Sequence, residues 1–233
     1  MRDLGLLLQK ELHVSLTSPI GYTVGVVFLL VLGYTFSLTL FVTRVANLNY
    51  IFHQMYVLSV LLVPVITMRA FAEERRTDTL ELLLTAPIRD VWIVLAKFLA
   101  ALVLVLGLYA AAATYALILG LYGEPDWGPI YGGYLAVSLL ACLLVAVGLY
   151  WSSLTDNQVV AAAASLGTFL MLWFADSVSS LLPAPLDVLA VNLSLIGHFT
   201  PLATGSLFFS DVGYYLTIAL LALFLTTRRL AER

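Results

Sequence analysis

This sequence has little charge. Asp, Glu, Lys and Arg make up 11% of its 233 residues, where a soluble domain has about 25%. The deficit is uneven: none of these residues occurs between Glu11 and Arg44, Arg44 and Arg69, Lys97 and Glu124, Asp126 and Asp156, or Asp156 and Asp176. Cysteine is nearly absent. Cys142 stands alone in an apolar run, which excludes an internal disulfide and a cysteine metal cluster. An excess of basic residues is also missing, and the net charge of -3 argues against a nucleic-acid partner. No signal peptide is expected, because Leu6-Leu7-Leu8 is too short a run and no small-residue cleavage site follows. Apolar residues fill the chain instead, at 62%. The polar residues of a soluble globule could not cover that much apolar side chain, whereas a bilayer-crossing helix needs about 20 such residues in a row. The chain reads as one all-α polytopic membrane domain, 1–233, and a soluble enzyme or a disordered chain is excluded.

The charge-poor stretches predict six transmembrane helices, over about 20–42, 50–71, 91–121, 130–151, 158–175 and 212–227. Residues 1–17 come before them as an amphipathic interfacial helix. Leu4, Leu7, Leu8, Leu12 and Val14 fall on one arc, Arg2, Gln9, Lys10 and His13 on the other, and Leu6 and Glu11 are the exceptions. Ser18-Pro19 reads as an N-cap followed by proline at the first helical position. Pro64 predicts a kink near Val60 to Pro64 in the second span. Residues 177–210 are apolar but carry Pro183, Pro185 and Pro201, so short broken helices are expected there, with Ser210 or Asp211 capping the last span. With both termini cytoplasmic, ten of the eleven Lys and Arg residues fall on the inner side and only Arg44 on the outer. That is a positive-inside pattern.

The most polar stretch is the loop 73–90, reading Glu73-Glu74-Arg75-Arg76-Thr77-Asp78-Thr79-Leu80-Glu81-Leu82-Leu83-Leu84-Thr85-Ala86-Pro87. Asp78 with Glu81 is an acidic form of the capping box, and Pro87 stops the helix it opens. A helix of about two turns over Thr79 to Thr85, with Leu80, Leu83 and Leu84 on one face, is too short to stand alone. It packs under its own bundle or docks on a partner, and physics alone favours neither.

The run E-E-R-R-T-D-T-L-E-L-L-L-T-A-P, followed by Asp90 and Lys97-Phe98, resembles the permease subunits of type 2 ABC transporters, in particular the gliding-motility and nitrous-oxide-reductase-maturation branch. Glu73, Glu74, Arg75, Arg76, Thr79, Leu80, Glu81, Leu83, Pro87 and Lys97 match, while Asp78 stands where glycine is usual. A second match is His198-Phe199 with Gly205, Asp211 and Tyr214 or Tyr215, with Thr204 where a basic residue is common. The resemblance implies a transport subunit, not an enzyme. Thr79, Leu80, Glu81, Leu83, Leu84 and Pro87 would form a coupling helix that fits a separate ATP-binding subunit, with Glu73, Glu74, Arg75 and Arg76 at its rim. It further implies export by alternating access, a second copy or a paralogue as the other half, and a bacterial or archaeal inner or plasma membrane. ATP and Mg would sit on the partner, since this chain has no G-x-x-x-x-G-K-[ST] loop and no cofactor of its own is expected.

Other polar positions have bland readings beside functional ones. Arg69 snorkels or pairs with Glu73. His53, Asp176 and His198 are candidate outer-side residues whose ordinary roles are hydrogen bonding within the bundle or wetting at its surface. Gly21-x-x-x-Gly25 offers a contact face between protomers. Two rival functions remain: a scaffold or channel subunit without ATP coupling, and an intramembrane enzyme. The enzyme would need polar residues converging at mid-depth, and the spans offer almost none.

Overall fold

A computed structural model describes residues 2–43, 47–79, 89–123, 125–181 and 183–232. All regular structure among them is helical. The helices are α1 (Arg2–Thr17), α2 (Pro19–Leu38, continued by a π turn over Thr39–Thr43), α3 (Asn49–Thr67), α4 (Arg69–Arg76), α5 (Asp90–Tyr122), α6 (Trp127–Leu154), α7 (Gln158–Ser179), α8 (Leu186–Leu193), α9 (Leu195–Ala203) and α10 (Phe209–Ala231). Six segments are long and apolar enough to cross a membrane: Pro19–Val42, Asn49–Arg76, Asp90–Leu121, Trp127–Leu154, Gln158–Ser179 and Phe209–Ala231. The protein is thus an all-α polytopic bundle. α8 and α9, with eight and nine residues, are each too short to span and are bent by 49° where they meet.

Local chemistry sets the helix starts. Pro19 opens α2 after an extended Ser18, but the Ser18 hydroxyl makes no capping bond. Asp126, Asn157 and Ser194 do cap α6, α7 and α9, taking backbone amides of Gly128, of Val159 and Val160, and of Gly197. The expected cap on the last span is not made. α10 begins at Phe209, which leaves Asp211 inside its first turn with its carboxylate turned to His198.

The second span is interrupted at Met68, one turn beyond Pro64. The cause is a side chain from another helix. The buried Ser152 hydroxyl of α6 accepts from the amides of Phe71 and Ala72 and donates to the Met68 carbonyl. A group inserted into the i→i−4 ladder redirects the helix at that point.

α6 is the axis of the bundle, the span with the largest buried share. Gly132, Gly133 and Gly148 leave its surface flat where the Leu202 carbonyl, the Phe52 ring and the Thr67 side chain press against it. α2 buries Val24, Phe28, Leu32 and Phe36, every fourth residue, with Phe28 and Phe36 against Tyr109 and Tyr115 of α5. Gly21 and Gly25 face Leu104 and Leu108 of α5, so this small-residue face is spent inside the chain. The outward faces are apolar: Leu30, Phe41, Met171, Leu220 and Phe209 are exposed, as lipid-facing residues must be.

Candidate functional site

One end of the bundle gathers α1, the start of α2, α4, the start of α5, the α6–α7 turn and the end of α10. It is called the basic end below. At its centre lies Lys97, two turns into an otherwise apolar α5 and only 4% exposed. A buried ammonium is costly unless it is paired. Lys97 Nζ lies 2.7 Å from Glu74 Oε1 of α4 and 3.3 Å from Glu11 Oε1 of α1, and 5.3 Å from the centre of the Phe71 ring. Lys10 approaches the same two carboxylates at 3.4 and 3.8 Å. One cation therefore ties the interfacial helix, the stem of the polar loop and a membrane span.

α4 is held on its other sides too. Arg69 Nε pairs with Glu73 Oε2 at 3.5 Å and donates to Gln158 Oε1 of α7 at 3.4 Å. The Arg75 guanidinium donates to the Ser153 carbonyl of α6, next to the inserted Ser152. Beyond α4 the Thr77 hydroxyl donates to the Glu73 carbonyl, and Thr79 Oγ1 donates to the Glu74 carbonyl. Asp78 has φ 55°. Asparagine and aspartate are the side-chain-bearing residues that enter this left-handed region most readily, so Asp78 can make this turn. It does not have the extended backbone usual at an N-cap, and Glu81, the other half of the acidic capping box, lies outside the described residues.

Of the expected coupling residues the structure places Thr79, at the start of a helical segment. Leu80, Glu81, Leu83, Leu84 and Pro87 lie outside the described residues, as does Arg44. The expected rim divides. Arg76 is exposed, Glu73 is half-exposed, and Glu74 and Arg75 are ties into the bundle. The reason is the direction of α4, which turns one face toward α5 and α6. Sequence reading did not assemble Glu11 with Lys97, although both were visible in it. Glu11 interrupts the apolar arc of α1, and Lys97 is the only charge for many residues of α5.

The opposite end carries a second polar cluster. His198 Nδ1 of α9 is 2.8 Å from Asp211 Oδ1 of α10, and its Nε2 donates to the Asn192 carbonyl at 3.2 Å. Tyr214 stacks on the imidazole at 4.1 Å and donates to the Leu193 carbonyl, while Tyr215 donates to that of Leu195. These contacts fasten α8 and α9 to the last span. His53 packs edge-on to Phe199 at 5.7 Å, and Asp176 is exposed at the end of α7. Neither joins the His198 cluster.

No curated protein matches the sequence. A family model described as ABC-2 family transporter protein matches residues 37–192, well over half of the chain. That stretch contains the second to fifth spans, the polar loop and the Lys97–Glu74 pair, and it stops short of His198. Six helices able to cross a membrane are consistent with such a subunit. The chain belongs to the ABC-2 family of transporter proteins, as a membrane-embedded permease.

Proposed function

We propose that the chain is the membrane half of an ATP-driven exporter of the gliding-motility and nitrous-oxide-reductase-maturation type. In this reading the basic end faces the cytoplasm, both termini lie there, and residues 79–87 dock on a separate ATP-binding subunit. A second copy or a paralogue completes the pathway. The observation that carries the reading is the Lys97 cluster. Glu74 lies one turn before the docking segment and is tied to α5 and α1 through one buried ammonium. Closure of the partner around nucleotide would move the loop, and a stem fixed this way passes the displacement to the spans. Docking would bury Leu80, Leu83 and Leu84, worth about 1.5–3 kcal/mol each when fully covered.

Leu83→Asp tests it. The substitution places an unpaired charge in the contact and leaves the bundle outside the lipid boundary untouched. Co-purification of the ATP-binding subunit and transport-linked ATP hydrolysis should both be lost, with the melting temperature of the isolated permease unchanged. Full binding and activity in Leu83→Asp would rule out docking through this helix. A collapsed melt would show that the segment packs under its own bundle, as a scaffold or channel subunit would have it.

A further inference from the structure

Two adjoining hollows lie where α1 meets the bundle, and the described residues fill neither. The first is a cleft of about 320 Å³ at the basic end, between α1, the start of α2, α4 and α5. Its mouth is polar, with Arg69, Glu73 and Glu74, and its floor is apolar, with Ile66, Ala101 and Leu104. The second is an apolar groove of about 470 Å³ that continues toward the membrane interior between α2 and α5. Ser15, Gly21 and Leu104 line both. The groove is open at Gly107, which carries no side chain there: a Cβ built on it would meet nothing within 4 Å. Each volume is that of a small-ligand site, about 300–1,000 Å³.

We infer that this continuous hollow holds one phosphatidylethanolamine molecule from the leaflet at the basic end, its headgroup in the cleft and an acyl chain in the groove. An empty apolar groove forfeits the dispersion contacts of its whole lining, and in a bilayer the available filler is an acyl chain. The headgroup follows from the charges. Glu11, Glu73 and Glu74 are balanced by Arg69, Lys97 and, beside the cleft, Lys10, so the site has no excess of either sign. That suits a zwitterion better than an anionic headgroup. At the mouth the two signs stand side by side, Arg69 pairing with Glu73 at 3.5 Å. The Glu73 side chain is 44% exposed, and Glu74 Oε2 has no hydrogen-bond partner. The half-exposed Glu73 carboxylate is an acceptor for N–H donors, which an ethanolamine ammonium has and a choline lacks. The Arg69 side chain, 38% exposed, offers the guanidinium that a phosphate takes. The Ser18 hydroxyl, free of any capping bond, also lines the cleft.

The test is native mass spectrometry of the delipidated permease, titrated separately with phosphatidylethanolamine, phosphatidylcholine and phosphatidylglycerol of matched acyl chains. One phosphatidylethanolamine per chain should bind about tenfold more tightly than either of the others, the difference that one charge-assisted hydrogen bond makes. Gly107→Leu fills the groove, so it should lose that adduct while melting no lower than the wild type, leucine being the better helix former. Glu73→Gln should keep the fold and lose most of the preference for ethanolamine over choline. Equal retention of the three lipids by the wild type would overturn the inference, as would an undiminished adduct in a folded Gly107→Leu protein. Should Gly107→Leu not fold, Glu73→Gln decides: an unchanged headgroup preference refutes the site. None of these outcomes involves the ATP-binding subunit, so the inference stands or falls apart from the docking reading.

Discussion

Lys97 has the two kinds of neighbour that a buried ammonium needs: carboxylates to pair with and an aromatic ring to pack on. Removing it would leave Glu11 and Glu74, whose side chains are 14% and 19% exposed, facing one another with only the outlying Lys10 between them. Breaking a buried pair from one side costs about 3–5 kcal/mol, and replacing all partners together costs far less. Lys97→Met should therefore lower stability in micelles by about 3 kcal/mol, with water at the cleft holding it to the low end. Lys97→Met with Glu11→Gln and Glu74→Gln should recover most of that loss. Equilibrium unfolding of the purified variants measures both, and a wild-type midpoint for Lys97→Met would show that the cluster contributes nothing. At this scale the sequence is partly legible. A lone cation inside an apolar span demands an acid, and a lone acid on an apolar arc demands a cation. Their pairing is invisible because 86 residues separate them and only the packing of α1 on α5 closes the gap.

The joint between α3 and α4 shows what an element owes to its neighbours. Proline is readable as a helix disruptor, and Pro64 accordingly predicts a kink upstream of itself. The interruption at Met68 belongs to Ser152, an ordinary serine at the end of a distant span, which takes over the hydrogen bonds of three backbone groups. Nothing in the local pattern distinguishes it from the neighbouring Ser153. Ser152→Ala should let the second span straighten and should cost about 2 kcal/mol, because two buried amides and a carbonyl lose their partner. Pro64→Ala should leave the break in place. Spin labels at Leu61 and Arg76, both exposed and on either side of the joint, report the difference. Their separation should shift in the Ser152→Ala protein and stay at the wild-type value in the Pro64→Ala protein. The reverse pattern would return the break to the proline. The same joint sets the direction of α4, which brings Glu74 to Lys97.

The whole molecule is the scale at which the sequence is most legible, because the bilayer imposes a coarse and repetitive demand. Stretches without charge must be long enough to span, and the six observed spans coincide with them. The folding of α8 and α9 is legible only as a lack of straightness. Three prolines forbid one continuous helix, but the fastening of those helices through His198, Asp211 and Tyr214 needs the three-dimensional neighbours. With six crossings both termini would lie on one side, the end where α1, α4, the start of α5 and the end of α10 collect the basic residues. Arg75 and Arg76 end α4, and Arg228 and Arg229 lie in the last turn of α10. Under the positive-inside rule that side is the one expected in the cytoplasm. An expectation about accessibility follows. In a Cys142→Ala background, a single cysteine at Thr85 should be shielded from a membrane-impermeant thiol reagent added to intact cells, and one at Glu124 should react. After permeabilisation both should react. The two positions bracket α5, whose 33 residues rise about 50 Å at 1.5 Å each, enough to cross the bilayer once with length to spare. Labelling of both sites in intact cells would mean that α5 does not cross, and the six-span bundle would fail. Labelling of Thr85 alone would keep the bundle but invert it, placing the docking segment where no ATP-binding subunit can reach it.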